Sequence, residues 1–124
     1  MPKLYSYDHL YQFSFSVFKS IGCSDEDAAT ACNTLLSADL RGIDSHGIAR
    51  LTGYVRLWEA GRVNAKPSIR IIHETPSTAT VDGDAGLGLV TAPFAMKLAI
   101  EKAKTAGTGW VSVTSRNVAN LPVS

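Results

Sequence analysis

A hydroxyl, an imidazole and a guanidinium fall within six residues of one another, at Ser45, His46 and Arg50. An imidazole titrates near neutral pH, so a histidine beside a hydroxyl can give or take a proton during a reaction. A guanidinium one helical turn further on can hold a carboxylate through two parallel hydrogen bonds. Together these side chains predict a site for a small 2-oxo or 2-hydroxy acid, with Ser45 and His46 as catalytic residues and Arg50 as the substrate-binding residue.

The same three residues also admit a purely structural interpretation. The hydroxyl of Ser45 could accept a backbone N–H at the start of a helix and so cap it. His46 would then be an exposed residue of the first turn, and Arg50 a solvated charge. The chemistry of these residues alone leaves both interpretations open.

The elements that must position the three residues begin with helices. Apolar residues recur every three or four positions, which predicts a first helix that starts near Ser6 or Asp8 and stops at Gly22. A capping box at residues 24–27 predicts a second helix, which ends near residues 40–42. The helices place the candidate site directly after the second of them.

A third helix is predicted to follow the turn at residues 44–47 and to close at Gly61. After Gly61 the pattern changes to strands, which are predicted at 68–74, 78–81 and 110–114. The last of these has an apolar composition typical of a strand inside a sheet.

A glycine-rich loop at residues 83–88 and a fourth helix separate the second and third strands. The helix is predicted to run from about Thr91 to Gly107, with Pro93 tolerated in its first turn. The loop has the order G-x-x-G-x-G, which is not the dinucleotide fingerprint G-x-G-x-x-G. We therefore predict a tight turn there, and not a phosphate site.

Other residues with possible chemistry have plainer interpretations. Asp82 and Asp84 lack a third ligand, so turn residues are favoured over a metal site and no metal is predicted. His73 alternates in phase with strand residues, which predicts a half-buried, hydrogen-bonded histidine. Three lysines are assigned to the solvated face of the fourth helix. They are Lys97, Lys102 and Lys104.

Length, net charge and cysteine content narrow the possible classes of protein. The 124 residues suffice for one domain, predicted to comprise a helical part at 1–62, a strand and helix part at 63–114 and an aberrant tail at 115–124. A net charge of +1 gives no case for nucleic acid or a membrane surface as a partner. We expect a cytoplasmic, soluble protein, in which Cys23 and Cys32 are buried free thiols.

The stretch from Leu40 to Leu51 closely resembles the malate/L-lactate dehydrogenase family, which includes L-sulfolactate dehydrogenase, ureidoglycolate dehydrogenase and the cyclic-ketimine reductases. The resemblance extends over about residues 5–114. Further segments match family landmarks in family order, namely 26–28, 38–42, Tyr54 with 61–64, 81–86, 95–96, 99–103 and 107–111.

The resemblance implies an NAD(P)-dependent oxidoreductase that acts on small 2-hydroxy acids, 2-oxo acids or cyclic imino acids. It implies an α/β fold with a helical N-terminal half and a short βαβ-like unit, the front part of the L-sulfolactate dehydrogenase-like fold and not a Rossmann fold. Ser45 and His46 match the family's proposed proton relay, and Arg50 matches its carboxylate-binding arginine. Family members are typically homodimers.

One segment departs from the family. After the strand at 110–114 the family has an Asn-His-Phe/Tyr-Gly motif, where this chain has Asn117, Val118, Ala119 and Asn120. We therefore expect a truncated chain that lacks most of the cofactor-binding part. The cofactor-binding residues are left unassigned, and the alternative to an enzyme is a non-catalytic remnant or a small binding or interaction domain.

Overall fold

The computed structural model describes residues 3–114 of the chain. The first half consists of helices, and the second half contains a small sheet with one helix. The elements in chain order are α1 (Tyr7–Ser20), α2 (Asp25–Leu40), two short 3-10 turns (Asp44–His46 and Ile48–Arg50), α3 (Leu51–Glu59), β1 (Arg70–Glu74), β2 (Thr78–Asp82), α4 (Gly88–Ala106) and β3 (Trp110–Thr114). Residues 115–124, including the departure at 117–120, lie outside the described part.

The first two helices begin at the predicted caps. The hydroxyl of Ser6 accepts the backbone N–H of His9 at 3.2 Å, and that of Ser24 accepts the N–H of Asp27 at 3.1 Å. Each bond satisfies one of the orphan N–H groups at a helix start. Gly22 then adopts a φ of +106°, a left-handed conformation that favours glycine and reverses the chain between the helices.

The sheet confirms the predicted βαβ unit. Its order is β1-β2-β3, in which β1 pairs antiparallel with β2, and β2 pairs parallel with β3 across the connecting helix α4. The expectation that the third strand lies inside a sheet is wrong for the described residues. There β3 is an edge strand, and the side chain of Trp110 is 74% exposed.

The core lies where α1, α2 and α4 meet. Phe18, Leu35 and Cys32 are completely buried, and Leu51 at the start of α3 joins the same cluster. Burying a side chain the size of Phe or Leu stabilises a fold by about 1.5–3 kcal/mol relative to leaving it exposed. The helical half therefore provides a packed base for the turn that follows α2.

Helix α4 begins three residues earlier than the sequence predicts, so Pro93 lies in its second turn. Proline has no N–H, which leaves the carbonyl of Leu89 without its usual helical partner. The hydroxyl of Thr34 in α2 lies 3.2 Å from this carbonyl oxygen and 2.9 Å from the carbonyl oxygen of Thr30, so its one hydrogen is shared between the two acceptors. A side chain of a neighbouring helix thus gives the carbonyl of Leu89 a partial replacement for its missing partner.

Two further predictions are wrong because of contacts between distant elements. Lys102 is 9% exposed, and its ammonium donates to the carboxylate of Glu74 at 2.8 Å and to the carbonyl of Thr75 at 2.7 Å. His73 is exposed, because β1 lies at the sheet edge and a bulge after Ile71 shifts the alternation of its side chains. Among the described helices, none is long and apolar enough to span a lipid bilayer.

Candidate functional site

Ser45 and His46 face each other directly. The Oγ of Ser45 lies 2.8 Å from the Nδ1 of His46, within hydrogen-bond distance. Both residues are exposed, and within the described part of the chain the Nε2 of His46 has no hydrogen-bond partner. The pair therefore has the geometry of a relay, in which one ring nitrogen contacts a hydroxyl and the other faces solvent.

Arg50 is joined to the same residue. Its Nε donates to the backbone carbonyl of Ser45 at 2.7 Å, which fixes the direction of the guanidinium. The two terminal nitrogens have no partner among the described residues, so they can donate as a pair to one carboxylate. Ser45 thus contacts His46 through its side chain and Arg50 through its backbone, and it brings the three predicted site residues together.

The structural alternative is wrong for Ser45, whereas His46 and Arg50 are exposed, as that alternative predicted. Neither of the two 3-10 turns nor α3 has a side-chain cap of its own, so the hydroxyl of Ser45 is not a cap. The predicted helical turn between His46 and Arg50 is wrong in detail. The chain is interrupted at Gly47, whose ψ of −142° separates the two 3-10 turns, and α3 begins only at Leu51.

An open groove of about 740 Å³ runs from the Ser-His pair along α3. Its lining contains three arginines and no acidic residue, so it attracts anions. The lining residues are His46, Arg50, Gly53, Tyr54, Arg56, Leu57, Ala60 and Arg62. A small carboxylic acid is the chemistry that this groove favours.

Sequence reasoning missed Arg56 and Arg62 as members of the site. Arg56 lies in the last turn of α3, and Gly61 adopts a φ of +72° that turns the chain so that Arg62 borders the same groove. Part of the groove could have been predicted from the sequence, because Arg50, Gly53 and Leu57 follow one another at the spacing of a single helix face. The contribution of Arg62 depends on the turn and could not be seen from that spacing.

A second groove of about 840 Å³ lies against the start of α1. It is lined mainly by aromatic and apolar side chains and has charged residues of both signs, with Asp39 and Asp44 as its acids. Two carboxylates at its border make it the less favourable place for an anionic substrate. The substrate is therefore better assigned to the groove along α3.

The glycine-rich loop at 83–88 is partly closed by backbone hydrogen bonds. The N–H of Gly83 donates to the carbonyl of Thr114 and that of Gly86 to the carbonyl of Gly83, each at 2.9 Å. A Cβ on Gly86 would lie 2.9 Å from the ring of Pro67, so this glycine permits close packing within the fold. The N–H groups of Gly83 and Gly86 are therefore already bonded within the fold.

Asp82 and Asp84 stabilise this loop, as predicted for turn residues. The carboxylate of Asp84 accepts the side-chain N–H of Asn64 at 3.0 Å and the backbone N–H of Ser68 at 2.8 Å. Asp82 accepts the backbone N–H of Asp84 at 2.8 Å. The left-handed residues of the loop are Asp84 and Ala85, with φ of 51° and 55°, and not its glycines.

The two cysteines are buried free thiols, as predicted, and they lie in the core away from the groove. Burial raises the pKa of the Cys32 thiol to about 11, and burial followed by the nearby Asp27 raises that of Cys23. Both thiols are therefore protonated at neutral pH, and neither is suited to be a nucleophile.

Comparison with known proteins identifies the family of this chain. The family model described as malate/L-lactate dehydrogenase matches residues 5–120. Malate dehydrogenase from Pyrococcus abyssi is 47% identical over 110 residues, which cover 89% of this chain and 30% of that protein. Ureidoglycolate dehydrogenase (NAD(+)) from Escherichia coli O157:H7 is 32% identical over 109 residues, covering 88% of this chain and 31% of that protein.

A solved structure matches the fold as well. Sulfolactate dehydrogenase from Methanocaldococcus jannaschii superposes with a TM-score of 0.86 at 39% identity, over 90% of this chain and 33% of that one. The helical half followed by a small sheet is thus the architecture of these enzymes in the matched region, as the resemblance implied. The chain spans about a third of the length of the relatives it matches.

Proposed function

The chain belongs to the malate/L-lactate dehydrogenase family, and we propose that it takes part in hydride transfer between a small 2-hydroxy or 2-oxo acid and NAD or NADP. The observation that carries this proposal is the arrangement around Ser45. One residue contacts a proton-transfer imidazole at 2.8 Å and a guanidinium at 2.7 Å, at the edge of a groove that favours anions.

We assign the carboxylate of the substrate to Arg50. Its Nε is occupied by the carbonyl of Ser45, which leaves the end-on pair of N–H groups for a bidentate contact. Such a fork fixes the plane of the carboxylate and therefore the direction of the neighbouring carbon, C2. We propose that the reacting carbon then lies near the Ser-His pair, because His46 and Arg50 both contact Ser45.

The proton is assigned to His46 and Ser45. Reduction of a 2-oxo acid needs a hydride at C2 and a proton at its oxygen, and oxidation reverses both transfers. Where the hydroxyl of Ser45 donates to Nδ1, Nε2 carries a proton and can act as the acid. As Nε2 gives its proton to the substrate oxygen, Nδ1 takes the proton of Ser45, and the exposed Oγ takes a proton from solvent. Oxidation of the hydroxy acid runs the same transfers in reverse, with Nε2 as the base and a proton returned to solvent.

The names of the relatives point to acids that differ beyond C2. Malate carries a second carboxylate, and sulfolactate carries a sulfonate at the corresponding end. We propose that Arg56 or Arg62 attracts this distal anionic group, because both guanidinium groups border the groove that begins at Arg50. The remaining choice among malate, sulfolactate and ureidoglycolate is left to the assay below.

A nicotinamide cofactor, when bound, supplies or accepts the hydride. One relative carries NAD(+) in its name, which supports this class of cofactor without deciding between NAD and NADP. The residues that bind the cofactor stay unassigned. A homodimer remains a prediction that rests on the family resemblance, and a cytoplasmic location remains a prediction that rests on composition.

A direct absorbance assay tests the proposal. The full chain is incubated with NADH or NADPH and with oxaloacetate, sulfopyruvate, oxalurate or pyruvate, and loss of the reduced cofactor is followed by its absorbance. We expect oxidation of one cofactor that depends on the 2-oxo acid and is lost in Arg50→Ala. If no acid is reduced and none binds, the chain has no such activity, and the rival interpretation as a non-catalytic binding domain is favoured.

A further inference from the structure

A carboxylate of α2 holds the turn that carries the candidate site residues. Asp39 lies in the last turn of α2, and its Oδ2 accepts the backbone N–H of Ile48 at 2.8 Å. Ile48 follows the interruption at Gly47, between the segment that carries His46 and the segment that carries Arg50. The two halves of the site therefore meet at a backbone group that is anchored from another helix.

The fit of this carboxylate is tight enough to require glycine at position 47. A Cβ added to Gly47 would overlap the carboxylate group of Asp39. Gly47 has a φ of −93°, outside the left-handed region, so the restriction comes from the neighbouring side chain. Gly47 is itself buried, so an added methyl would fit only if the carboxylate moved away and gave up its bond to Ile48.

The carboxylate also replaces a missing helix cap. The helical run from Ile48 to Glu59 begins without a side-chain cap from its own sequence, so its first N–H groups need partners. A negatively charged acceptor is favourable at this position, because the N-terminus of a helix has a partial positive charge. Asp39 thus supplies from α2 what the local sequence lacks.

We propose that Asp39 is a positioning residue, which fixes His46 and Arg50 relative to each other by clamping Gly47 and Ile48. The proposal rests on the roles proposed above for His46 and Arg50. Asp39 borders the groove beside α1 and not the groove along α3. It therefore acts on the substrate only through the turn.

The test uses NMR spectra of the full chain with labelled histidine and isoleucine. In Asp39→Ala, we expect hydrogen exchange at the amide of Ile48 to become roughly five- to tenfold faster, the effect of losing one cap. The Nδ1 shift of His46 should move toward that of a free imidazole, because the bond to Ser45 is populated less. Asp39→Asn keeps an acceptor oxygen and should restore both signals in large part.

Two variants control for other causes. Asp44→Asn removes a carboxylate from the same groove and turn without touching Ile48, so both signals should stay unchanged. Gly47→Ala adds a methyl group that collides with the Asp39 carboxylate, so it should reproduce the effect of Asp39→Ala. In the Asp39→Ala background the added methyl has room, so Gly47→Ala should have a smaller effect there than in the parent chain.

A kinetic readout separates this proposal from the function on which it rests. If the chain turns over an acid, Asp39→Ala should lower kcat while the KM for the nicotinamide cofactor changes less than twofold, and Asp39→Asn should recover most of kcat. If the chain turns over nothing, the NMR signals still decide whether Asp39 holds the turn. Unchanged signals for both Ile48 and His46 in a folded Asp39→Ala variant would overturn the proposal.

Discussion

Two connecting segments of this chain contain polar residues and glycines, yet they use them in opposite ways. The turn at 44–50 leaves the Nε2 of His46 and the terminal nitrogens of Arg50 without partners among the described residues. The loop at 83–88 turns its polar atoms inward, where Asp84 accepts two N–H groups and Asp82 a third. Hydrogen-bond donors and acceptors that have no partner and border a groove distinguish the candidate site from a structural loop.

The difference follows from what each segment must stabilise. The turn at 44–50 is anchored from outside by Asp39, and among the described residues only one of its own side chains, that of Arg50, bonds to its backbone. The loop at 83–88 has left-handed residues at Asp84 and Ala85, a conformation that is unfavourable outside glycine and needs local hydrogen bonds. Substitutions in the turn should therefore alter chemistry, and substitutions in the loop should alter stability.

The largest expected effect is on turnover, in His46→Ala. Loss of a positioned acid or base costs about 10²- to 10⁴-fold in rate, while an exposed side chain contributes within about 0.5 kcal/mol to stability. Initial rates and urea unfolding measure the two quantities. An equal loss of cofactor binding and turnover would contradict the assignment of proton transfer to His46.

The reverse pattern is expected for Asp84→Ala. The variant loses two hydrogen bonds to a carboxylate and places alanine at a φ of 51°, so the free energy of unfolding should fall by about 2–3 kcal/mol. Asp84→Asn is the matched control, because asparagine tolerates this conformation and keeps an acceptor. If both variants bound an acid more weakly in proportion to their loss of unfolding free energy, the proposed distinction between the loop and the turn would be wrong.

The pH dependence of stability is expected to change with a substitution in the core and not with one in the turn. The pKa of the Cys32 thiol is raised by burial from 9.0 to about 11. Above pH 9 the unfolded chain releases this proton and the folded chain keeps it, so this contribution to stability is complete below pH 9 and declines as the pH rises toward 11.

Urea unfolding at several pH values should show a loss on the order of 1 kcal/mol over this window. Cys32→Ala should reduce the dependence without abolishing it, because burial also raises the pKa of Cys23, whereas His46→Ala, at an exposed position, should leave it as it is. An unreduced slope in Cys32→Ala would assign the effect to another group.

The smallest effect is expected for Arg50→Lys. An ammonium keeps the charge but replaces a planar fork with a point charge, so the dissociation constant for the acid should rise roughly five- to tenfold. Because the guanidinium is exposed, the midpoint of unfolding should not move. Isothermal titration with oxaloacetate measures the change, and an unaltered affinity would take Arg50 out of the substrate site.

Local patterns in the sequence predicted the elements well. The caps at Ser6 and Ser24, the helix stops and the βαβ unit each depend on residues a few positions apart, and all were found where expected. The cluster of Ser45, His46 and Arg50 was predicted for the same reason, since its members are neighbours in the chain. The proposed roles of these residues stay predictions.

Contacts between distant residues could not be predicted in this way. Lys102 matched a solvated helix face, and only the hairpin of β1 and β2 shows why its ammonium is buried. The carbonyl of Leu89, left without a helical partner by Pro93, is contacted by the hydroxyl of Thr34, which lies 55 residues earlier in the chain. Asp39 is the same kind of case, because nothing local marks it as the partner of Ile48.

The central claim is that the turn at 44–50, and not the loop at 83–88, binds the acid. NMR spectra of the full chain during titration with L-malate and with oxaloacetate test it most directly. We expect saturable changes in the chemical shifts of the His46 imidazole and the Arg50 Nε, with no change in the amide shifts of residues 83–88. Shifts confined to the amides of 83–88, or the absence of any saturable shift at His46 and Arg50, would contradict it.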